Sequence, residues 1–171
     1  LRDVPKLLAM VSAIVKVSDI PVTVKTRLGW DEESIIIDTL AEQLQYVGVA
    51  ALTIHGRTRS QLYTGQANWD TIARVKANPR LRIPIVGNGD IADGPGAAQA
   101  FRKYGVDGVM IGRASFGRTW VFSDIRYFLD TGNPPAPLNI ADRVQLAHRH
   151  LALSIAEKGE RRGVLEMRRH L

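Results

Sequence analysis

The sequence contains no cysteine. This absence excludes a disulfide framework, thiolate metal sites and cysteine chemistry within these 171 residues, and no other metal site is suggested by the pattern. No apolar run approaches the roughly 20 residues that a membrane-spanning helix requires, and no basic-then-apolar signal segment opens the chain. We therefore expect a cytoplasmic protein with no membrane partner.

An initiator methionine is also missing, because the chain begins at Leu1 and runs directly into a helical pattern. We expect it to be a piece of a longer protein. The composition, 45% hydrophobic and 23% charged, is typical of a globular protein with a substantial core.

The net charge of +6 is unevenly distributed along the chain. The last 33 residues, 139–171, hold seven of the 23 basic residues and four of the 17 acidic ones, so half of the excess lies there. A basic segment of this kind suits a polyanionic partner such as nucleic acid. Charge alone equally allows a solvated helix face that happens to be basic.

Hydrophobic periodicity predicts an alternation of helices and strands. Helical spacing covers Val4–Val17, and short apolar runs predict strands at 20–25, 50–55, 83–86 and 108–111. Asp31 is expected to cap the helix that follows the first strand. Four βα units in succession predict an α/β fold that is half of a (β/α)8 TIM barrel. We assign residues 1–132 to the C-terminal half of such a barrel.

A proline-rich segment at 133–138 interrupts this pattern and is predicted to be a linker. Beyond it, Asn139 should cap a helix with one apolar stripe that ends at Gly159, and a second helix should start at 164–171. The apolar stripe comprises Ile140, Val144, Ala147, Leu151 and Ile155. Residues 139–171 are therefore predicted to open a small all-α domain.

Polar side chains follow each predicted strand, and in this fold such residues meet at one rim, where catalysis and cofactor binding are built. They are Lys25, Arg27, His55, Arg57, Asn88, Asp90 and Arg113. Each also has a purely structural explanation. Lys25 could pair with a carboxylate, His55 could be a hydrogen-bonded core histidine, and Asn88 and Asp90 could complete a turn.

Two glycine turns, at 87–90 and 112–113, each follow a short apolar strand. Backbone N–H groups in such turns bind anions, and the commonest phosphate site of this fold lies after the last two strands. A phosphate site that faces Lys25 and His55 suits a phosphorylated ring such as flavin mononucleotide (FMN). Periodicity does not separate that ligand from a phosphorylated sugar or an indole substrate.

Four motifs together resemble bacterial tRNA-dihydrouridine synthases, most closely the B-type branch. They are VKTRLGW at 24–30, TIHGRTR at 53–59 together with Tyr63, Gly65 and Trp69, GNGDI at 87–91 and GVDGVMIGRA at 105–114. The resemblance covers essentially the whole chain. It implies an FMN-dependent oxidoreductase that reduces the C5–C6 double bond of uridine in tRNA, with NADPH as the reductant.

The resemblance also implies roles for individual residues. Lys25 is expected to contact the flavin ring, and Lys25 and His55 are the catalytic candidates. The phosphate is expected on the remaining cofactor-binding residues, Asn88, Gly89, Asp90, Gly112 and Arg113. His55 and Arg57 are expected to line the flavin and substrate pocket, Arg57 and Arg59 to contact tRNA phosphates, and the helical domain to grip tRNA.

Two family features are missing, because the family's proton-donating cysteine and its early flavin-binding loop at the first strand have no counterpart here. The chain by itself is therefore expected to be inactive. Two alternatives remain: another phosphate-binding FMN barrel oxidoreductase, and a non-catalytic half-barrel scaffold. A half-barrel has two open strand edges, so self-association is expected in either case.

Overall fold

The computed structural model of the chain describes residues 1–170, so the last residue of the helix predicted at 164–171 lies outside the described residues. Helices and parallel strands alternate along the first two thirds of the chain, and helices follow. The elements are α1 (Val4–Val17), β1 (Thr23–Arg27), α2 (Ile37–Tyr46), β2 (Ala51–His55), α3 (Trp69–Lys76), β3 (Ile85–Asn88), α4 (Gly94–Tyr104), β4 (Gly108–Met110), α5 (Val121–Thr131), α6 (Ile140–Lys158) and α7 (Glu160–Met167), with short 3-10 helices at Arg113–Ser115 and Arg168–His170.

The four strands form one parallel sheet in the order β1-β2-β3-β4. Each strand is joined to the next by a helix, which is the connection that parallel neighbours require. Sequential βα units in sequential sheet order are half of a (β/α)8 barrel. The predicted fold class is therefore confirmed.

Two strands lie further along the chain than the sequence predicted. β1 covers 23–27 where 20–25 was expected, and β3 covers 85–88 where 83–86 was expected. Both predicted segments contain a proline near their start, and proline cannot donate a hydrogen bond to the sheet. As a result, Arg27 and Asn88 belong to the strands themselves and not to the loops after them.

The core of this sheet lies on its helix-covered face. Leu52 and Ile54 of β2 and Ile85 of β3 point to that face, and each is at most 1% exposed. They pack with buried residues of α2 and α3, namely Leu40, Leu44, Ile72 and Val75. Burying apolar area on one face leaves the other face available for polar residues.

The prediction that Asp31 caps a helix is wrong. α2 begins at Ile37, whereas the Asp31 carboxylate accepts the N–H of Ser34 at 3.0 Å in a turn. The segment before α2 is held by a bridge between Gly29 and Ile35, and the Leu28 carbonyl accepts the Ile36 N–H at 3.0 Å. These tertiary hydrogen bonds override the local capping signal.

The described chain divides into two compact units. The first comprises Leu1–Ile91 and Gly96–Ile111, and the second comprises Ala92–Pro95 and the residues from Gly112 onward. The predicted division into a barrel part (1–132), a linker (133–138) and a helical domain (139–171) stays a prediction. Among the helices of residues 1–170, none has the length and hydrophobicity that a membrane span requires.

In the second unit, α6 and α7 form a helical hairpin. Asn139 caps α6 as predicted, since its side chain accepts the Asp142 N–H at 2.8 Å, and Gly159 ends the helix with a positive φ of 77°. The two helices meet at Gly163, where a Cβ atom would lie 2.8 Å from the backbone of Ile155. The two helices thus approach closely because position 163 carries no side chain.

The expected apolar stripe of α6 is not a continuous buried face. Ile140 is 80% exposed and Val144 is 50% exposed, and no residue of α6 is fully buried. Only the later part of the stripe packs against α7, because that helix is short and reaches only the end of α6.

Candidate functional site

One face of the sheet carries the predicted polar residues. Side chains alternate along a strand, and the register pairs Lys25 with Thr53, Arg27 with His55, and His55 with Asn88. Lys25, Arg27, His55 and Asn88 therefore project from the same face, opposite the apolar core. The sheet thus brings together four of the polar residues expected at the rim.

His55 is a buried neutral imidazole. The residue is only 6% exposed. Burial, together with the charges of Arg27, Lys25 and Arg57, lowers the pKa of His55 from 6.5 to about 4. Burial and the neighbouring Arg27 also lower the pKa of Lys25 from its ordinary value. Near neutral pH the site thus presents cations beside an uncharged imidazole that can both donate and accept hydrogen bonds.

The long loop after β2, residues 56–67, folds over this face, and we call it the rim loop. Arg27 on β1 anchors it, because Nη1 donates to the carbonyl oxygens of Thr58 at 2.7 Å and Leu62 at 2.8 Å. On the loop, the ring of Tyr63 lies 5.7 Å from the Arg27 guanidinium carbon and 6.4 Å from the His55 ring, measured between centroids. The loop thus places an aromatic ring beside the cationic face.

The turn at 88–90, which we call the glycine turn, lies against His55. Asn88 Nδ2 donates to the Met110 carbonyl at 2.8 Å, and the Asn88 carbonyl accepts the Gly56 N–H at 2.9 Å. Gly89 has a φ of 132°, and a Cβ atom there would lie 2.5 Å from Ala67 Cβ and 3.3 Å from His55 Cδ2. The turn can approach His55 this closely only because residue 89 is glycine.

Trp69 supports the same turn from the helix side, and the sequence did not mark it as a site residue. Its indole Nε1 donates to the Gly89 carbonyl at 3.0 Å. Its ring fills the space at Gly87, where a Cβ atom would lie 2.2 Å from Cζ3. The sequence shows the glycines of this turn, but it does not show which side chain packs against Gly87. That side chain, Trp69, lies 18 positions earlier in the chain.

Arg57 is placed differently from what the sequence suggested. It is only 2% exposed, and its guanidinium donates to the Asp90 carboxylate and to the carbonyl oxygens of Thr64 and Gly65. The guanidinium is thus turned away from solvent, and the predicted contact of Arg57 with a tRNA phosphate stays a prediction. Arg59 is exposed on the rim loop, 5.8 Å from the Trp30 ring, and keeps the predicted tRNA role as a prediction.

Gly112 and Arg113 belong to the second compact unit. Gly112 precedes the 3-10 helix Arg113–Ser115, and a Cβ atom at this glycine would meet no atom within 4 Å. That these residues share one phosphate with the glycine turn stays a prediction. Within residues 1–170, no group of three or more histidine, aspartate or glutamate side chains is arranged to hold a metal ion.

Comparisons with known proteins agree with the motifs. A family model described as dihydrouridine synthase matches residues 1–171. The chain is 43% identical over 171 residues to tRNA-dihydrouridine synthase B of Xanthomonas campestris pv. campestris, covering all of this chain and 51% of that protein. It is 41% identical over 172 residues to a probable tRNA-dihydrouridine synthase of Rickettsia prowazekii, covering all of this chain and 52% of that protein.

A probable tRNA-dihydrouridine synthase 1 of Synechocystis is 42% identical over 163 residues, which are 95% of this chain and 45% of that protein. The chain therefore spans about half the length of the curated relatives it matches. The family match, by contrast, extends over every residue of the chain, including the strands that carry Lys25, His55 and Asn88. The chain belongs to the dihydrouridine synthase family.

Proposed function

We propose that the protein to which this chain belongs is an FMN-dependent tRNA-dihydrouridine synthase, which reduces the C5–C6 bond of uridine in tRNA at the expense of NADPH. The main support is a structural observation in a member of this family: one face of the sheet carries Lys25 and Arg27 around the neutral imidazole of His55. The relatives' names favour this substrate over that of another FMN barrel oxidoreductase.

The residues present fit a flavin nucleotide. The glycine turn lies against His55, and backbone N–H groups in turns of this kind bind anions such as a phosphate. Lys25 and Arg27 supply positive charge on the same face, which suits a ring that gains negative charge on reduction. When bound, FMN supplies the hydride chemistry that no side chain of this chain can provide.

Each residue then has a defined task. Lys25 holds positive charge toward the flavin ring, and His55 stays uncharged and donates or accepts one hydrogen bond at the pocket wall. Asn88, Gly89 and Asp90 of the glycine turn hold the phosphate, and Gly112 and Arg113 are the other proposed phosphate ligands. The rim loop excludes water from this face, and the exposed arginines of α6 and α7 attract tRNA. For an enzyme that acts on tRNA we expect a cytoplasmic location.

Titration of FMN into the 171-residue chain, followed by flavin fluorescence, tests the cofactor site. We expect saturable binding to the wild type and binding at least about tenfold weaker, about 1.4 kcal/mol, in Lys25→Ala. Lys16→Ala on α1 is the matched control, because it removes the same charge from an exposed helix surface. Equal affinity of Lys25→Ala and the wild type, or no binding to either, contradicts the proposed site.

A further inference from the structure

The pair formed by Arg57 and Asp90 joins two segments that are far apart in the sequence. Nη1 and Nη2 of Arg57 donate to the two carboxylate oxygens of Asp90 at 2.9 and 2.8 Å, a bidentate geometry. The Arg57 side chain is 2% exposed and that of Asp90 is 35% exposed. Because a buried guanidinium is stable only when its donors are satisfied, the pair must stay intact for this arrangement to persist.

Further bonds of the pair end on the rim loop. Arg57 Nε donates to the Thr64 carbonyl at 3.0 Å, and Nη2 also donates to the Gly65 carbonyl. Asp90 Oδ2 accepts the N–H of Ala67 at 2.8 Å. The pair therefore fastens the second half of the rim loop to the glycine turn.

Asp90 adopts a backbone conformation that is costly for a residue with a side chain. Its φ is 57°, in the left-handed region where glycine is usual and aspartate is tolerated. A glycine would satisfy the backbone, but it would leave Arg57 without its carboxylate. The side chain at position 90 is thus required by the loop and not by the turn.

Arg27 fastens the first half of the same loop through the carbonyls of Thr58 and Leu62. Both arginines therefore act on backbone oxygens of the rim loop, one from β1 and one from the loop's own base. Between the two attachment points lies Tyr63, beside Arg27 and His55. Loss of either attachment would release this ring from the sheet face.

We infer that Arg57 and Asp90 are positioning residues, which hold the rim loop closed on the glycine turn and so keep Tyr63 and Arg27 against His55. In this arrangement both side chains bond to each other and to the rim loop. The contacts of Asp90 with the phosphate and of Arg57 with tRNA stay predictions. The closed loop as such does not depend on any ligand. That the closed loop forms part of a pocket for flavin and uridine rests on the proposed function.

The substitution Asp90→Asn tests the attachment, because it keeps the side-chain shape and removes the charge. We expect amide hydrogen exchange in the rim loop to accelerate by about tenfold or more, while exchange in α2 and β2 is unchanged. The matched control is Asp38→Asn. Asp38 also makes a bidentate contact with an arginine, accepting from Nε and Nη2 of Arg74 at 2.8 Å for both bonds, but that arginine is 60% exposed. The control should leave the rim loop as it is in the wild type.

A second variant guards against unfolding of the first. Arg57→Lys keeps the charge beside Asp90 but loses the fork that reaches the carbonyls of Thr64 and Gly65. It should also accelerate exchange in the rim loop only. Unchanged exchange in both variants overturns the inference. Exchange that rises throughout the chain in both variants overturns it as well, because the pair would then hold the whole unit and not the loop.

The titration of His55, followed by NMR, separates positioning from simple electrostatics. The Asp90 carboxylate raises the pKa of His55, so its removal alone would lower that pKa further below about 4. Release of the rim loop instead lets water reach the ring and frees Arg27, which moves the pKa up toward 6.5. We expect a rise in Asp90→Asn, and a fall would overturn the positioning role.

The FMN titration distinguishes the two proposals. A wild-type chain that has an ordered rim loop and binds no FMN contradicts the proposed function and leaves the loop attachment standing. FMN binding that is equally tight in Asp90→Asn and in the wild type, with a loosened loop, contradicts the positioning role alone.

Discussion

At the scale of single residues, the buried neutral His55 makes stability depend on pH. Its pKa is about 4 in the folded chain and about 6.5 when unfolded, so the unfolded chain binds more protons between these values. The free energy of unfolding should therefore fall as the pH drops from about 6.5 to about 4, by at most about 3 kcal/mol, and change little from this cause below that range.

Urea unfolding of the wild type and of His55→Gln across this pH range measures the effect. The difference between the two isolates His55, because His170, whose pKa is also lowered by burial, titrates in both proteins. If the free energy of unfolding depends on pH in the same way in both proteins, the pKa of His55 is not lowered by folding.

The sequence was sufficient to predict that the site residues on the strands lie close together. Parallel strands end at one edge, so Lys25, His55 and Asn88 had to lie close together once four βα units were recognised. The inward fold of Arg57 could not be predicted, since a loop arginine looks the same in sequence whether it faces solvent or a carboxylate 33 positions away. The site roles themselves stay predictions.

At the scale of elements, α6 and α7 present arginines that have no hydrogen-bond or ion-pair partner within residues 1–170. Arg149 and Arg161 are exposed examples, whereas Arg162 is occupied by Glu166 at 2.8 Å. If these helices attract tRNA, Arg149→Ala and Arg161→Ala should each weaken binding about fivefold and reduce the slope of log affinity against log salt by about one.

Filter binding of bulk tRNA at several salt concentrations measures both quantities. Arg162→Ala is the matched control, since its guanidinium is held by Glu166 and should contribute less to a phosphate contact. If the slopes of Arg149→Ala and Arg161→Ala equal that of the wild type, the RNA-binding surface lies elsewhere on the protein.

The positions of most elements were predictable from periodicity, as α1 shows by matching residues 4–17. The start of α2 was not, because the bridge from Gly29 to Ile35 competes with the capping signal of Asp31 and is itself a tertiary contact. How much of the α6 stripe is buried was not predictable for a related reason. An apolar stripe indicates a face that seeks a partner, whereas the partner's length decides how much of that face is covered.

At the scale of the whole chain, the sheet has two open edges within the described residues. β1 pairs only with β2 and β4 only with β3, and α1 exposes Met10, Ile14 and Val17. Unpaired edges and exposed apolar side chains favour association. We expect light scattering to report a mass above 18.9 kDa that rises with concentration.

Ile14→Glu should reduce that association, because it places a charge in the apolar surface of α1. Lys16→Glu is the control, since it introduces the same carboxylate at an exposed and already charged position of the same helix. A monomer at every concentration would show that neither the edges nor α1 mediates contact between copies.

The indole of Trp69 packs against Gly87, and this contact restricts which substitutions the family can accept at both positions. A side chain cannot be accepted at position 87 while the tryptophan remains, since the two would occupy the same space. Replacement of the tryptophan alone would leave a void and remove the hydrogen bond to the Gly89 carbonyl. The two positions should therefore drift together or not at all, so homologues that lack one member of the pair should lack both.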